Sequence, residues 1–197
     1  MARFSYTGRM DKQNPQRPSS HLDVRAFARN AGSAAGTVSL QEFPRVAPEC
    51  VGGGADVSVT WSVQGQLRGG DGLPAVPWLH LQIHGELPLV CQRCLEPVPT
   101  PVEVDQWFRF VPDEDTAAQQ DDDAAEDLLV ESTEFDLRAL VEDELVLALP
   151  LIASHATCPR PPRLSVQDAG FQAPTDDRPR PFAALARLRQ GTGEAED

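Results

Sequence analysis

Aromatic residues are scarce in this chain, lysine is almost absent, and no long hydrophobic run occurs. Aromatics make up 6% of the 197 residues, so aliphatic side chains must fill most of any core. Lys12 is the only lysine. No window approaches the roughly 18 apolar residues of a membrane-spanning helix, and residues 1–17 lack the apolar stretch of a signal peptide. We therefore expect a cytoplasmic protein that contacts no membrane.

The charge balance is strongly acidic. Asp and Glu number 30 against 17 Lys and Arg, which gives a formal net charge of -13. Because phosphate repels such a chain at long range, the composition argues against bulk attraction to nucleic acid, and we expect no DNA partner. Basic proteins, ribosomal ones among them, are the electrostatically natural partners.

The sequence also lacks the common catalytic motifs. The glycines at 52–54 are followed by neither a lysine nor a helical pattern, so they do not form a phosphate-binding loop. There is no nucleophile elbow, and no residues suggest a catalytic triad. We therefore expect a protein that is not an enzyme.

Hydrophobic periodicity predicts an α+β fold. Apolar residues alternate at period two over 55–67, 78–89 and 98–111, which is typical of strands with one buried face. The last two form a hairpin around 91–97. Residues 136–149 have helical spacing, with Asp136 as N-cap and Pro150 as the stop. We expect an antiparallel, barrel-like sheet capped by this helix, with flexible termini.

The domain organisation follows from composition. We expect a disordered tail at 1–20, one domain at 21–160, and a linker with a short C-terminal amphipathic helix at 161–197. Within the domain, residues 112–127 are acidic and have almost no large apolar side chain. They predict a solvated, disordered loop, or a docking arm for a basic partner.

Two pairs of metal-binding side chains stand out. Cys91 and Cys94 form a CxxC after a strand, and His155 and Cys158 follow the predicted helix. Two thiolates at CxxC spacing can reach one tetrahedral ion, so the four residues are a candidate structural zinc site. The alternative is that these are reduced, partly buried thiols that only pack. The sequence leaves both interpretations open.

A thiol-redox site is another interpretation of the CxxC. Redox motifs of this type place the first cysteine at a helix N-terminus within a βαβ unit. Here the flanking segments are predicted to be antiparallel strands, and Glu96-Pro97 opens no helix. The redox interpretation is therefore the weaker one.

Charged residues near these motifs are candidates for binding a partner. Glu142, Asp143 and Glu144 are consecutive in the predicted helix, so they point about 100° apart and do not converge on one substrate atom. They form either a solvated face or a contact for arginines of a partner. Arg93 is placed to contact phosphate or to cap the CxxC turn.

Several separate motifs resemble the bacterial YceD family, the large ribosomal RNA subunit accumulation proteins. They are CQRCLEP at 91–97, FDLRALVEDELVLALP at 135–150, HATC at 155–158 and RPFAALARLR at 180–189. The resemblance implies a non-enzymatic factor that supports the synthesis, processing or stability of 23S rRNA. It implies a ribosomal protein or a large-subunit assembly intermediate as partner, with rRNA contact direct or indirect. The alternatives are a structural zinc-binding module with a non-ribosomal partner, or a thiol redox protein.

Overall fold

A computed structural model describes residues 18–69, 74–160, 163 and 165–171. Most of the expected N-terminal tail and the whole expected helix at 181–189 lie outside the described residues. The chain separates into two units, Met1–Pro162 and Arg163–Asp197. In the second unit, the Phe171 N–H donates to the Asp168 carbonyl in a turn. The helices and strands of the described residues all lie in the first unit.

One five-stranded sheet organises this unit. Its strands are β1 (Ser33–Ser39), β2 (Ser58–Arg68), β3 (Val76–Val90), β4 (Pro97–Val111) and β5 (Asp127–Val130). They lie side by side in chain order. The first three pairings are antiparallel, and β5 runs parallel to β4. The predicted α+β class and the predicted hairpin are confirmed. The sheet is mixed rather than purely antiparallel, and among the described strands β1 and β5 do not pair, so it stays open.

The period-two pattern explains which face of the sheet is buried. Successive side chains of a strand point to opposite faces, so every second residue meets the core. The inward side chains of the three long strands include Val59, Trp61, Val63, Leu79, Leu81, Ile83, Leu87, Leu89, Val102, Val104, Phe108 and Phe110, all buried. On the opposite face of β3, His80 and Gln82 are half-buried and His84 is exposed, which confirms the predicted alternation.

Helices complete the core on the buried face. α1 (Val24–Arg29) begins where the Asp23 side chain accepts the Ala26 N–H at 2.8 Å. α3 (Leu137–Ala148) begins where the Asp136 side chain accepts the Ala139 N–H at 2.9 Å. The predicted N-cap at Asp136 is confirmed. α3 ends because Leu149 turns extended ahead of Pro150, whose ring disfavours helix in the residue before it. The predicted stripe on α3 packs into the core through Leu137, Leu140, Val141 and Leu145, with Ala148 half-buried.

The acidic segment 112–127 corrects one expectation. It contains helix α2 (Glu114–Gln120) and a 3-10 turn, Asp121–Asp123, rather than a continuous loop. The Asp113 side chain accepts the Thr116 N–H at 2.7 Å, and acidic residues in the first turn favour the helix dipole. No side chain of α2 is buried. The low apolar content of this segment therefore predicted correctly that it is exposed. It did not predict the local hydrogen bonds that form α2 and the 3-10 turn.

The connection between β1 and β2 contains three short 3-10 helices, at Leu40–Glu42, Ala47–Glu49 and Val51–Gly54. Three residues of this connection are buried in the same core as the sheet and α3: Leu40, Phe43 and Val46. Among the helices in the described part of the chain, none is long and apolar enough to cross a bilayer.

Candidate metal centre

Four side chains meet at one end of the sheet. Cys91 and Cys94 come from the turn between β3 and β4, and His155 and Cys158 come from the segment after α3. One ligand atom from each lies within 4.8 Å of all the others. The two pairs are more than 60 residues apart in sequence, and the fold brings them together as the candidate site requires.

Two distances describe the spacing within the cluster. The Cys91 and Cys158 Sγ atoms are 3.9 Å apart. The Cys94 Sγ atom is 3.4 Å from Nδ1 of His155. All four cysteines of the chain are free thiols. Cys91 is fully buried, whereas Cys94, His155 and Cys158 are half-buried, so the cluster is at the edge of the core.

The turn that carries the CxxC has a defined backbone. The Leu95 N–H donates to the Cys91 carbonyl at 2.9 Å, and the Cys91 N–H donates to the Glu96 carbonyl at 3.0 Å. Leu95 has φ 62°, a left-handed backbone conformation that residues other than glycine rarely adopt. This bend reverses the chain within the turn so that both sulfurs face the same point.

Backbone contacts hold the second pair against this turn. The Gln92 N–H donates to the Ala153 carbonyl at 2.9 Å. The Arg93 guanidinium donates to the carbonyl of His155 and, at 3.4 Å, to that of Ala156. Arg93 therefore links the CxxC turn to the segment after α3.

The thiols have opposite pKa shifts. Burial acts to raise the pKa of Cys91, but backbone hydrogen bonds from His155, Arg93 and Cys94 outweigh it and lower the pKa to about 5. Burial, together with hydrogen bonds to Cys94 and Cys91, raises the pKa of Cys158 to about 11.

The arrangement suits ligation better than thiol exchange. Cys91 follows a strand, begins no helix, and is fully buried, so an incoming disulfide has no access to its sulfur. Cys50 lies outside the cluster, is buried beside Leu89, and has a pKa raised by burial. Cys50 is therefore a core thiol.

The three consecutive carboxylates of α3 have three different environments. Glu142 is buried, Asp143 is half-exposed at 50% of its side chain, and Glu144 is half-buried. The Glu142 carboxylate accepts the Arg45 N–H at 2.7 Å, and Asp143 pairs with the Arg45 guanidinium at 2.6 Å. Glu142 therefore links α3 to the connection between β1 and β2 and does not offer a surface for a partner.

Glu144 has no ion pair within the described part of the chain. Partial burial, with repulsion from Asp127 and Asp143, raises the pKa of its carboxyl group. Such a group is destabilised when ionised. Of the three carboxylates, Asp143 is exposed but paired with Arg45, and Glu144 is half-buried.

The open face of the sheet carries a cluster that sequence reasoning missed. The Arg68 guanidinium lies 3.8 Å from the ring centroid of Trp107 and 4.5 Å from that of Trp78. The His80 ring stacks on Trp107 at 4.2 Å, and its Nε2 is 2.5 Å from the Asp105 carboxylate. That contact lowers the pKa of Asp105. The sequence shows Trp78 and His80 at period two on the outward face of β3. Their neighbour Arg68 lies on β2, and the register between the two strands brings it there, which the sequence alone does not reveal.

Together these features define a small α+β protein with an open mixed sheet, an acidic surface and a thiol–imidazole cluster at its hairpin end. The family model described as "Large ribosomal RNA subunit accumulation protein YceD" matches residues 79–189, more than half of the chain. The chain therefore belongs to the YceD family, and the expected resemblance is confirmed. The matched region includes the hairpin, α3 and all four residues of the cluster.

A curated relative from Haemophilus influenzae carries the same name, Large ribosomal RNA subunit accumulation protein YceD. It is 36% identical over 116 residues, and the match covers 53% of this chain and 61% of the relative. The chain thus spans less than two thirds of that protein's length. No solved structure matches the chain.

Proposed function

We propose that this protein is a non-enzymatic accessory factor that supports the accumulation of large-subunit ribosomal RNA. The single observation that carries the proposal is the match over residues 79–189 to a family of large ribosomal RNA subunit accumulation proteins. The relative from Haemophilus influenzae has that name and is 36% identical. The proposed role requires a cytoplasmic location, where bacterial ribosomes assemble.

The proposed mechanism is capture of a basic component of the assembling large subunit. A net charge of -13 makes a basic ribosomal protein, or an intermediate that contains one, a more favourable partner than bare rRNA. The carboxylates of Asp143, which is half-exposed, and Glu144, which is half-buried, support this direction. Synthesis, processing and stability of the rRNA remain alternative points of action.

The proposed contact excludes Glu142. Reversing its charge would remove the acceptor of the Arg45 N–H and bury an unpaired cation, so any loss of function would report unfolding. The double variant Asp143→Lys/Glu144→Lys changes only exposed or half-buried carboxylates. A matched double variant in α2, Glu114→Lys/Asp115→Lys, makes the same charge change at two exposed positions.

The test is the ratio of large- to small-subunit rRNA in cells depleted of the protein. We expect the ratio to fall and the parent chain to restore it. The α3 double variant is expected to restore it poorly, and the α2 double variant shows how much general acidity contributes. An unchanged ratio on depletion would contradict the proposed function and favour a module with a non-ribosomal partner.

A further inference from the structure

We propose that Cys91, Cys94, His155 and Cys158 bind one Zn²⁺ ion in a closed structural site. The proposed role in rRNA accumulation requires no metal, so this inference goes beyond it. The four residues come from two segments that share no secondary-structure element. Their convergence is therefore a product of the fold and not of local spacing.

Two of the six distances between ligand atoms are close to those of a tetrahedron around zinc, and all six are within 4.8 Å. Zinc–sulfur bonds of about 2.3 Å and zinc–nitrogen bonds of about 2.0–2.1 Å give tetrahedral edges of about 3.8 Å between two sulfurs and about 3.6 Å between sulfur and nitrogen. The observed edges are 3.9 Å for Cys91 to Cys158 and 3.4 Å for Cys94 to His155. A disulfide would need sulfurs about 2.05 Å apart, so the thiols are spaced for a shared ion and not for bonding to each other.

The donor set selects the type of metal. Three thiolates and one imidazole are soft or borderline ligands, which exclude magnesium and calcium and favour zinc or iron in tetrahedral coordination. Four protein ligands also fill the coordination shell, which is typical of structural zinc sites and leaves no position for a catalytic water.

The ion would fasten the segment after α3 to the hairpin. In the described structure that segment is also held by the Gln92 to Ala153 hydrogen bond, the contacts of Arg93, and an exposed ion pair of 3.2 Å between Arg160 and Glu96. Such contacts are individually weak. Leu151 and Ile152 are largely exposed, so they add little packing there. Ala153 of this segment is buried in the core, and the metal would add a further attachment about five residues later.

The first experiment measures zinc in the purified full-length protein by elemental analysis. We expect one zinc per chain in the parent, loss of most of it in Cys91→Ser and Cys158→Ser, and full retention in Cys50→Ala. Cys50 is the matched control because it is also a buried thiol but lies outside the cluster. A parent that carries no zinc and takes up none when zinc is added would overturn the proposal, as would equal loss in the Cys50 variant.

A second measurement avoids variants that fail to fold. The metal-free parent is titrated with Co²⁺, whose absorption bands report both tetrahedral geometry and thiolate ligation. We expect a tetrahedral, thiolate-rich spectrum that added Zn²⁺ abolishes by competition. An octahedral spectrum, or purified protein that holds iron in place of zinc, would overturn the proposal. Both measurements use the protein alone, so their outcome is independent of the rRNA assay.

Discussion

Helices α2 and α3 are both acidic, yet the fold uses them in opposite ways. α3 buries Leu137, Leu140, Val141, Leu145 and even a carboxylate, whereas α2 buries no side chain. Each begins at an aspartate N-cap that accepts the N–H three residues later. Capping therefore sets where each helix starts, and the apolar stripe decides whether the helix is part of the core.

The largest predicted difference between the helices concerns apolar truncation. Leu145→Ala in α3 is expected to lower the free energy of unfolding by about 2–5 kcal/mol, because it leaves a cavity at a fully buried position. Gln119→Ala, at an exposed position in α2, is expected to change it by less than about 0.5 kcal/mol. Urea unfolding of both variants checks the comparison. Equal effects would contradict the contrast between the helices.

The second prediction separates the buried carboxylate of α3 from its neighbour. Glu142→Ala leaves the Arg45 N–H without its acceptor and is expected to cost about 1–3 kcal/mol of folding stability. Asp143→Ala removes only a half-exposed ion pair with the same arginine and is expected to cost about 0–1 kcal/mol. Urea unfolding measures the loss of stability in each variant. A larger loss for Asp143→Ala than for Glu142→Ala would contradict the prediction and show that Asp143 makes the more important contact with Arg45.

The third prediction compares the two N-caps. Asp136→Ala is expected to destabilise the protein by about 1 kcal/mol, because α3 is packed in the core and its start is coupled to global unfolding. Asp113→Ala removes an equivalent bond from α2, whose opening exposes no buried side chain. We expect little change in the global unfolding midpoint for Asp113→Ala, and local fraying visible by hydrogen exchange.

The sequence predicted the parts of this fold that depend on local patterns. The alternation in β3, the hairpin, and the cap and stripe of α3 all follow from spacing and from single side chains. The parallel pairing of β5, the Arg45 contacts and the Arg68–Trp107 contact join distant residues. Tertiary packing sets such contacts, and no local pattern specifies them. The two cysteine–histidine pairs were found by residue type, but only the fold gives their distances.

The smallest predicted effect is the pH dependence of Glu144. Its pKa in the folded protein is raised above the ordinary value of 4.5, so the ionised carboxylate at neutral pH opposes folding. Protonation favours the folded state, and that contribution is lost as pH rises through the folded pKa. Glu144→Gln is therefore expected to be slightly more stable than the parent at pH 7, with the gain shrinking as pH falls through the raised folded pKa and absent below 4.5, the ordinary value. Thermal unfolding at several pH values checks it, and a gain that grows on acidification would contradict the assignment.

The central claim is that this acidic member of the YceD family binds a basic component of the assembling large subunit through the surface of α3. The most direct measurement is sedimentation of the tagged protein in lysate, with rRNA and ribosomal proteins identified in each fraction. The account predicts that the parent and the α2 double variant migrate with large-subunit precursors and that Asp143→Lys/Glu144→Lys does not. Parent protein that stays at the top of the gradient, or an α3 variant that migrates like the parent, would contradict it.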